Sequence, residues 1–112
     1  MERIENLILR SLVHNEDFSR KVIPFIQPEY FHDQSERILF EEISQYMAKY
    51  NTRPSIPALS IEVETRTDLT GEQVEGMRTT LRDFEPVTGT DDWMMDSTEN
   101  WCKKQAIYNA LM

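Results

Sequence analysis

DQSERILFEEISQYMAKY, running from Asp33 to Tyr50, is the stretch whose reading decides the fold. Ile38, Leu39, Phe40, Ile43, Tyr46, Met47 and Tyr50 fall at the three- and four-residue steps of one helix face, with Glu, Ser, Gln and Lys on the other side. Asp33 followed by Glu36 is a capping-box pattern, which marks the start of the helix. Asn51-Thr52-Arg53-Pro54 breaks the periodicity and marks its end.

The same spacing continues on both sides. Ile4, Leu7, Ile8, Leu12 and Val13 give a first helix over Glu2 to Val13, with Glu2, Arg3, Glu5, Asn6 and Arg10 facing away. Asn15 is the expected cap of a short second helix carrying Phe18, Val22 and Ile23, which Pro24 and then Pro28 terminate. Downstream, Ser55 with Pro57 opens a fourth helix through Ile56, Leu59, Ser60 and Val63. Thr70 with Gln73 forms another capping-box pattern before Val74, Met77, Leu81 and Phe84, and this fifth helix is expected to end near Pro86. Val87-Thr88-Gly89-Thr90 reads as a short linker. No stretch alternates with period two for long, so the expected fold is all-α, a compact bundle of about five short helices followed by a long C-terminal helix.

That last helix covers Thr90 to Met112, with Asp91 and Asp92 in its first turn, where negative charge complements the dipole. Met94, Trp101 and Tyr108 recur every seven residues and Leu111 closes the seam. No Gly, Pro or Asn cap follows Leu111, so the pattern runs off the end, and a longer parent protein is the expectation. A helix with Trp93 and Trp101 on it and no stop signal calls for a partner, and a buried interface role is expected for both indoles.

Composition narrows the function classes. At 112 residues the chain makes one domain with a single core. With 20 acidic against 12 basic residues and a net charge of −8, its surface repels phosphate, which disfavours direct nucleic-acid binding. Arg78, Arg82, Lys103 and Lys104 are the candidates for a local basic face, for which solvated helix surface is the simpler account. Tyr30, Phe31, Phe40, Tyr46, Tyr50 and Phe84 could stack on bases only in a cationic groove, so core packing is expected for most of them. Cys102 stands alone, which excludes a disulfide framework and fits a reducing, cytoplasmic location, with the thiol a packing or interface group. Charges interrupt the opening residues before a secretory signal can develop, and nothing approaches the roughly 20 apolar residues of a membrane span.

Catalytic chemistry is not encoded in any pattern. Gly71 and Gly76 have the spacing of a phosphate loop, but Met77-Arg78-Thr79 follow where Lys and Ser or Thr are needed. His14, His32 and Cys102 are too scattered for a zinc site. Glu41-Glu42, Glu62 with Glu64, and Asp91-Asp92 are carboxylates one or two positions apart, which do not face each other on a helix. The expectation is that this chain has no catalytic, cofactor-binding or metal-ligating residues and is not itself an enzyme.

Several short stretches carry a family likeness in order: Ile4-Glu5-Asn6-Leu7-Ile8-Leu9-Arg10-Ser11-Leu12, Phe18 to Ile26, Pro28-Glu29-Tyr30-Phe31 leading into Arg37-Ile38-Leu39-Phe40-Glu41-Glu42-Ile43, and Arg53-Pro54-Ser55-Ile56-Pro57-Ala58-Leu59. With the long last helix, this set resembles the amino-terminal domain of replicative hexameric DNA helicases of the DnaB family, most of all those of T-even-type phages. Glu36 stands where many bacterial relatives carry His, which fits the phage branch.

The resemblance implies a globular helical subdomain over 1–86 and, from 90 to 112, the first helix of a truncated hairpin. Hairpins of neighbouring subunits in that family pair into a collar, and primase and the helicase loader engage the assembly, the primosome of DNA replication. The implied partners are other helicase subunits, primase and loader, with neither nucleic acid nor membrane bound directly, in the host cytoplasm if the gene is a phage's. Trp93, Met94, Trp101, Tyr108 and Leu111 are the expected pairing residues. The family's ATPase motor lies beyond this domain, so use of ATP and magnesium belongs to the implied parent. The competing reading is a free-standing acidic helical adaptor that binds a host protein, for which a stop codon close to Met112 is the expectation.

Overall fold

The computed structural model describes residues 3–87 and 91–111. Its helices are α1 (Ile4–His14), α2 (Glu16–Val22), α3 (Gln34–Tyr50), α4 (Ile56–Thr65), α5 (Gly71–Arg82) and the long α6 (Asp91–Leu111), with no strand among the described residues. The all-α expectation holds. Thr88, Gly89 and Thr90 of the expected linker lie outside the described residues, as do Met1, Glu2 and Met112.

The caps act largely as their residue types dictate. Asn15 accepts from the Phe18 amide, Ser55 from Ala58, and Thr70 and Gln73 satisfy each other's backbone in a complete capping box. At α3 only half of the expected box forms. Asp33 accepts from the Glu36 amide at 3.0 Å, while the Glu36 carboxylate instead accepts from both Arg3 guanidinium nitrogens at 3.1 Å, joining the start of α1 to α3. Asn51 ends α3 in the left-handed conformation, φ 57° and ψ 30°, which Asn tolerates better than most side chains. Pro24 is the second residue and Pro28 the first of two short 3-10 turns, Ile23–Phe25 and Pro28–Tyr30, which carry the chain from α2 to α3.

α5 stops at Arg82, a turn before the expected end near Pro86. Phe84 leaves the helix to be buried, and α1 satisfies the carbonyls this frees: His14 Nε2 lies 3.1 Å from Phe84 O, and Arg10 Nε donates to Glu85 O at 2.8 Å. These bonds aim the chain towards α6.

α3 runs through the middle, packed on α1, α4, α5 and the Pro28–Tyr30 turn; α4 and α5 pair on one side, and α6 lies across α1, α2 and the turn on the other. One apolar core results, from Ile8, Leu9 and Leu12 through Phe31, Phe40 and Ile43 to Leu59, Val63, Met77 and Leu81, and it takes in Met94 and Trp101 of α6. Where α4 leaves this core, Arg66 Nη1 meets Glu42 at 2.9 Å and Glu41 at 3.5 Å, while Nη2 meets Asp68 at 2.8 Å. Burial pushes the Glu42 carboxyl above its ordinary value, and the Arg66 guanidinium opposes the shift.

Candidate interaction surface on the C-terminal helix

α6 presents two unlike rows of side chains. Along the inner row Met94, Thr98 and Trp101 are buried, and below them Gln105 Nε2 donates to Tyr30 O and Asn109 Nδ2 to Glu29 O, at 3.2 Å in the latter case. The Trp101 ring lies 4.9 Å from Phe31 and meets Tyr30 edge-on at 6.0 Å, and its Nε1 donates to Glu5 at 3.4 Å. The helix is therefore pinned to the Pro28–Tyr30 turn and to α1 along this side.

The outer side is open and apolar at its two ends, with the exposed Asn100 and Lys104 on the same line between them. Trp93 and Leu111 are 18 residues apart, five whole turns, and so lie on one line of the helix. They are 49% and 83% exposed, and Ile107 and Tyr108 beside them are 63% and 47% exposed. Tyr108 leans its ring against His32 at 5.0 Å between centroids.

The structure divides the residues that sequence reasoning grouped together. Met94 and Trp101 fill the chain's own core, whereas Trp93, Tyr108 and Leu111 face outwards. A strict seven-residue repeat drifts by about 20° per heptad on a straight helix, so the row that begins inside at Met94 has turned partly out by Tyr108. Ile107 was not among the expected pairing residues; its place four residues before Leu111 is the signal that marks it.

The remaining candidates are scattered. His14 is held against the Phe84 carbonyl, His32 is exposed, and Cys102 is half-buried with its thiol pushed upwards by burial. No group of three or more His, Cys, Asp or Glu side chains converges as a metal cage among the described residues. Gly71 and Gly76 both lie within α5, so they form no phosphate loop. Of the basic candidates, Arg78 pairs with Glu64 at 2.9 Å and Lys103 with Glu99 at 3.2 Å, while Arg82 and Lys104 stand exposed on separate helices. Phe31, Phe40 and Phe84 are buried, Tyr30 and Tyr46 half-buried, and Tyr50 is exposed at the end of α3.

The chain is similar to the DnaB-like replicative helicase of Enterobacteria phage T4. The two are 26% identical over 104 residues, which are 93% of this chain and 22% of that helicase. The chain thus spans about a fifth of the length of the relative it matches. No family model matches it. The likeness is distant and partial, and it links the chain to a phage replicative helicase. No helix is long and apolar enough to cross a membrane among the described residues.

Proposed function

We propose that this chain acts in DNA replication as the amino-terminal collar domain of a phage replicative helicase, residues 1–86 forming its globular part and the helix after residue 90 opening a hairpin. Subunits associate through the outer row of α6, and the assembled collar docks primase or the helicase loader. The observation that carries this reading is the likeness to the phage T4 helicase, which runs along 93% of the chain and so includes both the bundle and α6. The exposed Trp93, Ile107, Tyr108 and Leu111 supply the apolar surface such pairing needs. The chain's net charge of −8 favours basic partners, because complementary charge speeds encounter. Hydrolysis of ATP with magnesium and strand separation belong to the motor of the proposed parent.

Sedimentation equilibrium of the chain with the double substitution Ile107→Glu, Leu111→Glu tests the pairing. Both side chains are exposed, so folding stays intact while self-association weakens by about tenfold or more. The same distribution of species for both proteins would refute the assignment of this row.

A further inference from the structure

On the α4 side of the bundle a small depression of about 150 Å³ lies between α3 and α4. Glu42, Gln45, Tyr46, Lys49 and Tyr50 line it from one face of α3, at steps of three, one, three and one, and Glu62 of α4 forms the opposite wall.

Its two ends differ. At the first, Glu42 is only 8% exposed; Arg66 bonds its Oε1 at 2.9 Å, and its Oε2 accepts no hydrogen bond among the described residues. Arg66 is already divided among Glu41, Glu42 and Asp68. Glu62 adds a further carboxylate with no ion-pair partner among the described residues. Burial raises the Glu42 carboxyl, Arg66 opposes the shift, and the nearby Glu62 charge adds to it, as expected where carboxylates outnumber cations. At the other end the Tyr46 and Tyr50 rings lie 4.6 Å apart between centroids, and the Lys49 ammonium stands 5.3 Å from the Tyr50 centroid. Lys49 thus turns its charge to the aromatic end, where the negative face of the ring attracts an ammonium group.

Glu42 and Tyr46 are four residues apart, about 6 Å along the helix, and Tyr50 follows about 6 Å further on. The depression therefore has two places for positive charge on one line, carboxylates at the first and rings at the second, with Tyr46 between them to cover an aliphatic stem. A lysine side chain of another protein brings one charge to such a site, whereas a free diamine brings two. We infer that this depression binds an aliphatic diammonium ion, one ammonium group donating to Glu62 and to Oε2 of Glu42, the other lying against the Tyr46 and Tyr50 rings in place of Lys49. Lys49 is exposed, so its stem swings out to solvent as the ligand enters. The bound ion ties α3 to α4.

Titration of the isotope-labelled chain with putrescine, the four-carbon diamine, followed by amide shifts in nuclear magnetic resonance at constant ionic strength, tests the site. Saturable shifts confined to residues 42–50 of α3 and to α4 around Glu62 are expected, with a Kd of about 1 mM or tighter. Glu62→Gln keeps the shape and removes the charge, and Tyr46→Leu keeps an apolar wall and removes the ring; each weakens binding by about threefold or more. Lys49→Met removes the internal competitor and tightens binding by about threefold or more, a gain that misfolding does not produce. Glu62→Gln and Lys49→Met decide the matter if circular dichroism shows Tyr46→Leu to be unfolded. Propylammonium, with a single charge, is expected to bind about threefold more weakly than putrescine, or worse. Shifts spread over the acidic surface without saturation, a Glu62→Gln or Lys49→Met variant that binds as the wild type does, or propylammonium binding as well as putrescine, overturns the inference. Acetyl-lysine amide binding more tightly than putrescine also overturns it, by giving the site to a lysine of a basic polypeptide. None of these results bears on pairing through α6.

Discussion

Trp101→Ala is the substitution that most directly tests how α6 is held. The side chain is 6% exposed, so nearly its whole ring surface is removed from water on folding. A buried Trp covers about 150–250 Å². At about 25 cal/mol per Å², that is about 4–6 kcal/mol of transfer free energy as an upper bound. Large-to-small substitutions of buried aromatics cost about 3–5 kcal/mol, so the expected loss is about 4 kcal/mol. Domains of this kind are stable by about 5–15 kcal/mol, and the variant therefore keeps only a small margin. Urea unfolding followed by far-ultraviolet circular dichroism measures the loss. Trp101→Phe provides the graded control, because it keeps an aromatic ring beside Phe31 and gives up the Nε1 bond to Glu5 and part of the area, for about 1–2 kcal/mol. A loss below about 1 kcal/mol for Trp101→Ala, with the slope of the transition unchanged, would refute the claim that this residue anchors α6 to the bundle.

Two further substitutions probe the polar supports. Arg66→Ala leaves Glu42 buried without its cation and is expected to cost about 1–3 kcal/mol in thermal or urea unfolding at neutral pH. Its pH dependence has a definite sign. Burial raises the Glu42 carboxyl in the folded state above its ordinary 4.5, so the folded chain binds the proton more tightly than the unfolded one. The charged group therefore costs stability above that range, and the cost is relieved as pH falls through the raised folded value. The variant lacks the opposing guanidinium, so its deficit relative to wild type narrows between neutral pH and the carboxylate range; a deficit that widens on acidification counts against this account of Glu42. Thr70→Ala removes one half of the α5 capping box and is expected to cost about 1 kcal/mol, read as a lowered urea midpoint, whereas an unchanged midpoint would mean that the box does not hold the start of α5.

Local rules carried most of the secondary structure because the deciding groups are near neighbours in sequence. The Asn15, Ser55 and Thr70 caps and the breaks at Pro24, Pro28 and Asn51 each depend on a few consecutive residues and were legible in the chain alone, whereas the left-handed conformation of Asn51 came only with the structure. Features that depend on distant residues escaped. The Glu36 carboxylate had two possible partners, the backbone at Asp33 and the guanidinium of Arg3, and only packing brought the second within reach. The early end of α5 was equally hidden, since the groups that satisfy the carbonyls of Phe84 and Glu85 come from His14 and Arg10, 70 and 75 positions away.

For the candidate surface the division is similar. Periodicity alone pointed to a long last helix rich in large side chains, which the structure has over Asp91–Leu111, because a 3.6-residue repeat is a property of the sequence. It could not say which of those side chains the chain would use for itself. That was decided by the Pro28–Tyr30 turn and α1, which pack against Trp101 and bond Gln105 and Asn109, and so rotate Met94 and Trp101 inwards and leave Trp93, Ile107 and Leu111 outside. The sequence by itself determined the helices, their caps and the acidic balance. Which face of each helix is buried, and hence which residues are left for a partner, was decided only when the helices packed, because burial is settled between distant elements competing for the same apolar surface.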